Sequence, residues 1–269
     1  MYGAQLAFRD YNIMKGIAGS DFVGLKHFIR FVQSYNFWNL IRNTILLNLY
    51  QLFFVFPVPI VFALLLKQIG RSRLRKFLQN IAYAPHFISM VVLVGTMYIF
   101  LSPRTGIVNI MLQRLGNDSI FFFGDASWFR PLFILSEIWQ NTGWAAVIYI
   151  AVLSSVDPNI YDAAKVDGAS KLQRLVHIDV PSLVPTIVIL FILKVGRLMT
   201  VGFEKAYLMQ TPLNYDTSEI IATYVYKIGL IGAQYSFASA VGLFNAAINF
   251  TLLIVVNKIV KNLSENALW

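Results

Sequence analysis

The stretch that decides the reading is Ile160–Pro181, IYDAAKVDGASKLQRLVHIDVP, an island between two apolar segments. Seven charged residues lie in and just before it: Asp157, Asp162, Lys165, Asp167, Lys171, Arg174 and Asp179. Inside lipid they would together cost on the order of 20 kcal/mol, so the segment belongs in water. Asp157-Pro158 is a helix start, an acidic N-cap followed by proline at the first helical position. Ile160, Ala163 and Ala164 then share one face, and Gly168 stands where a left-handed residue ends a helix. Ser170 caps a second helix whose Leu172, Leu175 and Val176 form another apolar stripe, and Pro181 and Pro185 are expected to end it. The spacing thus predicts two short amphipathic helices joined at Gly168-Ala169. Small residues at Ala163, Ala164 and Ala169 permit close approach of another surface. From the residues alone two readings stand: an interfacial pair that closes a loop, or a docking element.

Outward from the island the chain reads as membrane. It has 269 residues, 57% hydrophobic and 13% charged, about half the charge of a soluble domain. A transmembrane helix needs about 20 apolar residues. Ile45–Leu66, Phe77–Leu101, Pro131–Leu153 and Phe237–Val256 qualify, with kinks expected at Pro57 and Pro59 and a single acid, Glu137, near the outer end of the third. Leu183–Val201 is marginal. Lys194 and Arg197 cost about 2.5–3.5 kcal/mol each, and its apolar residues return about 0.3–0.6 kcal/mol each, so the two sums nearly cancel. Both cations should face protein or a water-filled path.

The net charge of +9 fits membrane orientation rather than nucleic-acid binding. Lys67–Lys76, KQIGRSRLRK, contains five basic residues and no acid. Placing it in the cytoplasm puts the island and the C-terminus on the same side and gives the inner regions about twice the Lys/Arg density of the outer ones. The expected organisation is an external segment, 1–39; a membrane domain, 40–262, with a cytoplasmic loop, 154–182; and a cytoplasmic tail, 263–269. There is no cysteine, which excludes disulfide and thiolate chemistry.

The order Asp162-Ala163-Ala164, Gly168-Ala169 and Ile178-Asp179-Val180-Pro181 resembles the Glu-Ala-Ala loop of permease subunits in bacterial binding-protein-dependent ABC importers. Asp162 replaces the family's glutamate and keeps its charge on a shorter arm. The similarity extends to RNTILLNLYQLFFVFPVPIVFALLL, YAPHFISMVVLVGTMYIFLSPRTGIVN and YSFASAVGLFNAAINFTLLIVVNKIVK, which look like carbohydrate-type permeases, and among those the oligosaccharide and uronate-oligosaccharide importers. The resemblance implies an all-α, type I importer transmembrane fold in the bacterial cytoplasmic (inner) membrane. Such permeases commonly have six spans and an inside N-terminus, where five spans and an outside N-terminus are expected here; MYGAQLAFRDYN resembles the segment after the family's first helix. The implied partners are a second homologous permease, two ATP-binding cassette ATPase subunits and an extracytoplasmic solute-binding protein. ATP and Mg would reside on the ATPase subunits. Asp162, Ala163, Ala164, Asp167, Gly168, Ala169 and Pro181 would form the ATPase-coupling surface.

No GxxxxGK[ST] occurs, so the chain has no P-loop of its own, and no HExxH is present. His27, His86 and His177 are far apart in the expected topology, and no metal site is expected. Lys194, Arg197 and Glu204 either line a hydrophilic substrate path or pair and snorkel at helix ends, with Glu137 as an outer-leaflet polar contact. Trp128, Trp139 and Trp144 mark interfaces or offer faces for sugar stacking. An ion-coupled secondary transporter is the competing class; it calls for paired intramembrane carboxylates or repeated halves, and neither is visible. A membrane enzyme would need a nucleophile–base or metal cluster that is equally invisible.

Overall fold

A computed structural model describes residues 2–200 and 202–263, so 264–269 of the expected tail lie outside the described residues. A 3-10 segment, Tyr2–Phe8, precedes the hairpin β1 (Arg9–Asn12) and β2 (Gly16–Phe22) and the short α1 (Lys26–Val32). Helix α2 (Phe37–Tyr50) passes through a π turn, Gln51–Val55, into α3 (Pro57–Gln68); α4 (Ser72–Tyr83), α5 (Met90–Phe100) and α6 (Ile107–Arg114) come next. After α7 (Ala126–Ser155) come α8 (Pro158–Val166) and α9 (Lys171–Arg174), which continues through a second π turn, Leu175–Asp179, into α10 (Val180–Val195). The chain closes with α11 (Phe203–Met209), α12 (Tyr215–Ser218), α13 (Ile221–Tyr226), a π turn at Lys227–Ile231 and α14 (Tyr235–Leu263). The body is helical, as expected, with one antiparallel hairpin added near its start.

Three described runs are long and apolar enough to cross a membrane, Phe37–Gln68, Lys171–Val195 and Tyr235–Asn262. The count reaches five if the broken pairs Ser72–Phe87 with Met90–Phe100 and Ala126–Ser155 with Pro158–Val166 are each one span. Each expected span falls on one of these, but several details differ. Pro57 and Pro59 do not interrupt the first run. Proline removes an N–H donor and crowds the preceding turn, and the π turn absorbs this: the Phe56 amide reaches back to the Gln51 carbonyl at 2.9 Å. The same device precedes Pro181, where the Val180 amide bonds the Leu175 carbonyl. Pro181 and Pro185 therefore lie inside a continuous helix and do not end one. The second expected span is broken: α4 runs into a 3-10 turn, Ala84–Phe87, containing Pro85, and α5 starts afresh at Met90. The Gln140 side chain donates to the Ile88 carbonyl at 2.9 Å and satisfies a backbone acceptor at this break.

The chain divides into two compact units, Met1–Leu49 with Met90–Phe133 and Gly196–Ile254, and Tyr50–Ser89 with Ile134–Val195 and Val255–Trp269. The first has a core of Phe31, Phe37, Leu40, Met199, Ile221, Phe237 and Val241. Buried amides staple its loops. Asn43 donates to the carbonyls of Asp216 and Glu219 at 2.9 and 3.1 Å. Asn109 donates to Leu101, Ser102 and Ile120 carbonyls and accepts from the Ile120 amide. Where water is scarce, these side chains replace it as partners for irregular backbone. The hairpin is tied down by the Tyr11 amide, which donates to Ser236 Oγ at 2.9 Å.

The second unit is built on Ala63, Ala146, Tyr149, Leu153 and Leu183. Two of its helices approach closely at Gly143, where a Cβ would strike the Ala82 carbonyl. Small residues permit such contacts in membrane helices, where dispersion drives association. Gly143→Ala gains about 1 kcal/mol of helix propensity but forces the backbones apart. The expected net result is destabilisation by about 1–3 kcal/mol, read as a lower thermal midpoint in detergent; an unchanged or higher midpoint would show that the contact yields freely.

Candidate functional site

The island folds as its residue types direct. Asp157 Oδ1 accepts from the Asn159 amide at 2.9 Å, and Pro158 opens α8. The helix closes in a double bond pattern: the Ala169 amide reaches the Ala164 carbonyl at 2.8 Å and the Gly168 amide the Lys165 carbonyl at 3.1 Å. This closure requires a left-handed residue, and Gly168 supplies it with φ of 76°. Ser170 then forms a capping box with Gln173. The elbow is exposed: no residue of α8 is buried, Val166 is 87% exposed and Leu172 70%. Asp162, Ala163, Asp167 and Gly168 all lie on this open surface, with Ala164 and Ala169 half-buried. Lys165 pairs with Asp162 at 2.7 Å in a solvated contact. Pro181, grouped with these from the motif, stands beyond the π turn in α10.

One charge departs from the expectation that the whole island is wet. Asp179 is only 2% exposed. Its carboxylate accepts from the Tyr161 hydroxyl at 2.6 Å, meets the Lys67 ammonium at 3.1 Å, and accepts from Gln68 at 3.3 Å. Lys67 also donates to the Leu153 carbonyl at 2.7 Å and to the Tyr161 oxygen, and lies over the Tyr161 ring. Burial first, and then the hydrogen bond to Asp179 and that carboxylate's negative charge, push the Tyr161 hydroxyl above the usual tyrosine range. Coulomb attraction and these three donors offset the desolvation that the seven-charge sum assigned to this residue.

A second polar group runs through the membrane part of the same unit. Lys194, in the last turn of α10, donates to Gln51 Oε1 at 2.9 Å and lies within Coulombic reach of Glu137. Glu137 accepts from Asn141 at 2.8 Å, one helical turn on, and Asn141 Oδ1 pairs with His86 Nδ1 at 2.9 Å. His86 stacks flat on Trp144 at 4.8 Å, and about half of the Trp144 surface stays open. A cation, a carboxylate, two amides and an aromatic face are groups that hydrogen-bond and stack, the chemistry a polyhydroxylated ligand calls for.

The four expected pathway residues divide between the two units, Glu137 and Lys194 in the second and Arg197 and Glu204 in the first. Lys194 and Glu137 share the track. Arg197 lies past the end of α10, exposed in a turn, because that helix begins and ends earlier than hydropathy places it. Glu204 is exposed in the first turn of α11, where a negative charge suits the helix dipole. Its neighbour Lys205 is the buried one, 1% exposed and 4.7 Å from the Phe133 ring centre. Sequence reasoning passed over Gln51, Asn141, Lys67 and Tyr161. Gln51 could have been found as the polar residue of an uncharged span, and Asn141 by its i, i+4 spacing from Glu137.

Residues 34–265 match the family described as binding-protein-dependent transport system inner membrane component. A polygalacturonan/rhamnogalacturonan transport system permease, YteP of Bacillus subtilis (strain 168), is 41% identical over all of this chain and 84% of its own length. Protein LplB of the same organism is 36% identical over all of this chain and 85% of its own. Among solved structures, a bacterial alginate ABC transporter in complex with an alginate pentasaccharide-bound periplasmic protein is similar at a TM-score of 0.90 and 38% identity, covering 99% of this chain and 88% of that one. The chain belongs to this family and is an inner-membrane permease subunit of an ABC importer, in the group that holds the sugar permeases.

Removing the Lys194 ammonium leaves Glu137 and Gln51 without its charge and donor. Lys194→Ala is expected to lower uptake roughly tenfold, the scale of one charged hydrogen bond, with subunit assembly retained. Arg197→Ala should change uptake less, since its side chain is exposed; radiolabelled uptake in proteoliposomes compares the two. Equal rates for both variants and the parent would show that the track does not meet substrate.

Proposed function

We propose that this chain translocates acidic oligosaccharides, delivered by an extracytoplasmic binding protein, in an importer completed by a second homologous permease and two ATP-binding cassette subunits. ATP and Mg would bind those subunits, since this chain has no P-loop. The observation that carries the reading is the exposed α8–Gly168–α9 elbow. Its turn is fully determined by hydrogen bonds, while Ile160, Val166 and Leu172 leave apolar surface in a loop too charged for lipid. An exposed apolar patch with a polar rim is a protein-docking surface. α8 would sit in a groove of an ATPase subunit with Asp162, Ala163, Ala164, Asp167, Gly168 and Ala169 at the contact, and nucleotide-driven closure would swing the permeases between inward- and outward-facing states.

The topology is set by the basic side. The 154–182 loop and the C-terminus would be cytoplasmic, the 1–39 segment external, and 40–262 the membrane domain. Two observations favour an acidic substrate: the similarity to transporters named for polygalacturonan, rhamnogalacturonan and alginate, and the Lys194 ammonium in the polar track. A lysine in a low-dielectric path attracts a carboxylate strongly.

Gly168→Val tests the elbow. The left-handed conformation costs a β-branched residue more than the roughly 1–2 kcal/mol it costs an ordinary one, and no neighbouring atom would otherwise oppose the new side chain. Loss of ATPase stimulation by sugar-loaded binding protein, with the membrane body still folded, is the expected outcome. Full stimulation in the variant would exclude α8 as the coupling element.

A further inference from the structure

The elbow has a hinge at each end. At one, α7 turns by 65° into α8 around Val156 and Asp157; at the other, Gly168 in the left-handed conformation ends α8 ahead of α9. A helix hung between two hinges and burying none of its residues would swing freely when pushed, and would pass little displacement to the helices behind it. The contacts around Asp179 oppose this. Tyr161 projects from α8, Lys67 and Gln68 from the end of α3, Leu153 offers a carbonyl from the last turns of α7, and Asp179 closes the π turn that leads into α10. Four helix ends thus converge on one carboxylate and one ammonium.

We infer that Asp179, with Lys67 and Tyr161, is a positioning cluster that fixes α8 to α3, α7 and α10, so that a push on the elbow moves those three helices as one body. The inference rests on the reading of α8 as the docking element and goes beyond it by naming what transmits the motion. Its chemistry suits the task. The Tyr161 hydroxyl donates to Asp179 and accepts from Lys67, so loss of one hydroxyl breaks two links. Directional hydrogen bonds fix one arrangement, whereas apolar packing at the same place would allow sliding. The π turn ending at Asp179 adds one residue to the helical turn, a feature found at functional points in helices.

The test uses the whole transporter, purified with its ATPase subunits and reconstituted with sugar-loaded binding protein. Tyr161→Phe and Asp179→Asn keep size and shape. Both are expected to retain the ATPase subunits through detergent and to retain basal hydrolysis, while sugar imported per ATP hydrolysed falls at least about fivefold, the lower end of ordinary inter-site coupling. Lys67→Arg, which keeps charge and donors, should preserve most of the ratio. The chain has no cysteine, so spin labels at Val166→Cys and Gly70→Cys can report the position of α8 directly. Their distance distribution should be narrow in the parent and broad in Tyr161→Phe. An unchanged import ratio with an unchanged distribution in Tyr161→Phe would overturn the cluster's role, and this variant decides should Asp179→Asn fail to assemble. Parent transporter in which labels or cross-linkers at Val166 never meet an ATPase subunit would instead sink the docking reading, and the cluster's role with it, by a separate readout.

Discussion

Much of this structure answers to the exclusion of charge and unpaired backbone from hydrocarbon. Seven charges between residues 157 and 179 are together too costly for lipid, and that stretch folds as the exposed elbow and the π turn behind it. The same constraint is met differently wherever polar groups do go inside. Asn43 and Asn109 surround irregular backbone with amide donors and acceptors, and Gln140 caps the carbonyl at the broken second span. Lys194 is accompanied by Gln51 and Glu137. Asp179 is the limiting case, a carboxylate kept from water because three donors, one of them a cation, take its place.

Much of this was legible beforehand, and the reasons are local. Caps and turns depend on a few adjacent residues, so Asp157-Pro158, Gly168 and Ser170 marked the elbow to the residue. Hydropathy sums over twenty residues, so five apolar segments stood out. What failed was long-range. The burial of Asp179 depends on Lys67 and Tyr161, which are 112 and 18 residues away in sequence. A charge sum treats each residue as alone and cannot register the pairing. In the Glu204-Lys205 pair both residues carry charge, and only the packing of α11 reveals that the lysine is the one inside.

The prolines teach a related lesson. Pro57, Pro59, Pro181 and Pro185 read as kinks or stops under the rule that proline breaks a helix. The rule describes a uniform α-helix, and here the helix is not uniform: a π turn ends two residues before Pro57 and two before Pro181. The wider turn takes up the lost donor and leaves the run unbroken, so α9 and α10 form one rod. That continuity places Arg197 beyond the rod's end and Lys194 within it.

The face that α8 presents outward owes almost nothing to the rest of the molecule. Tyr161 anchors it from beneath, the caps hold its ends, and the remaining side chains touch little else in the protein. Such a surface is free to diverge. Ile160, Asp162, Val166 and Asp167 could therefore change in size or charge without disturbing the fold behind them.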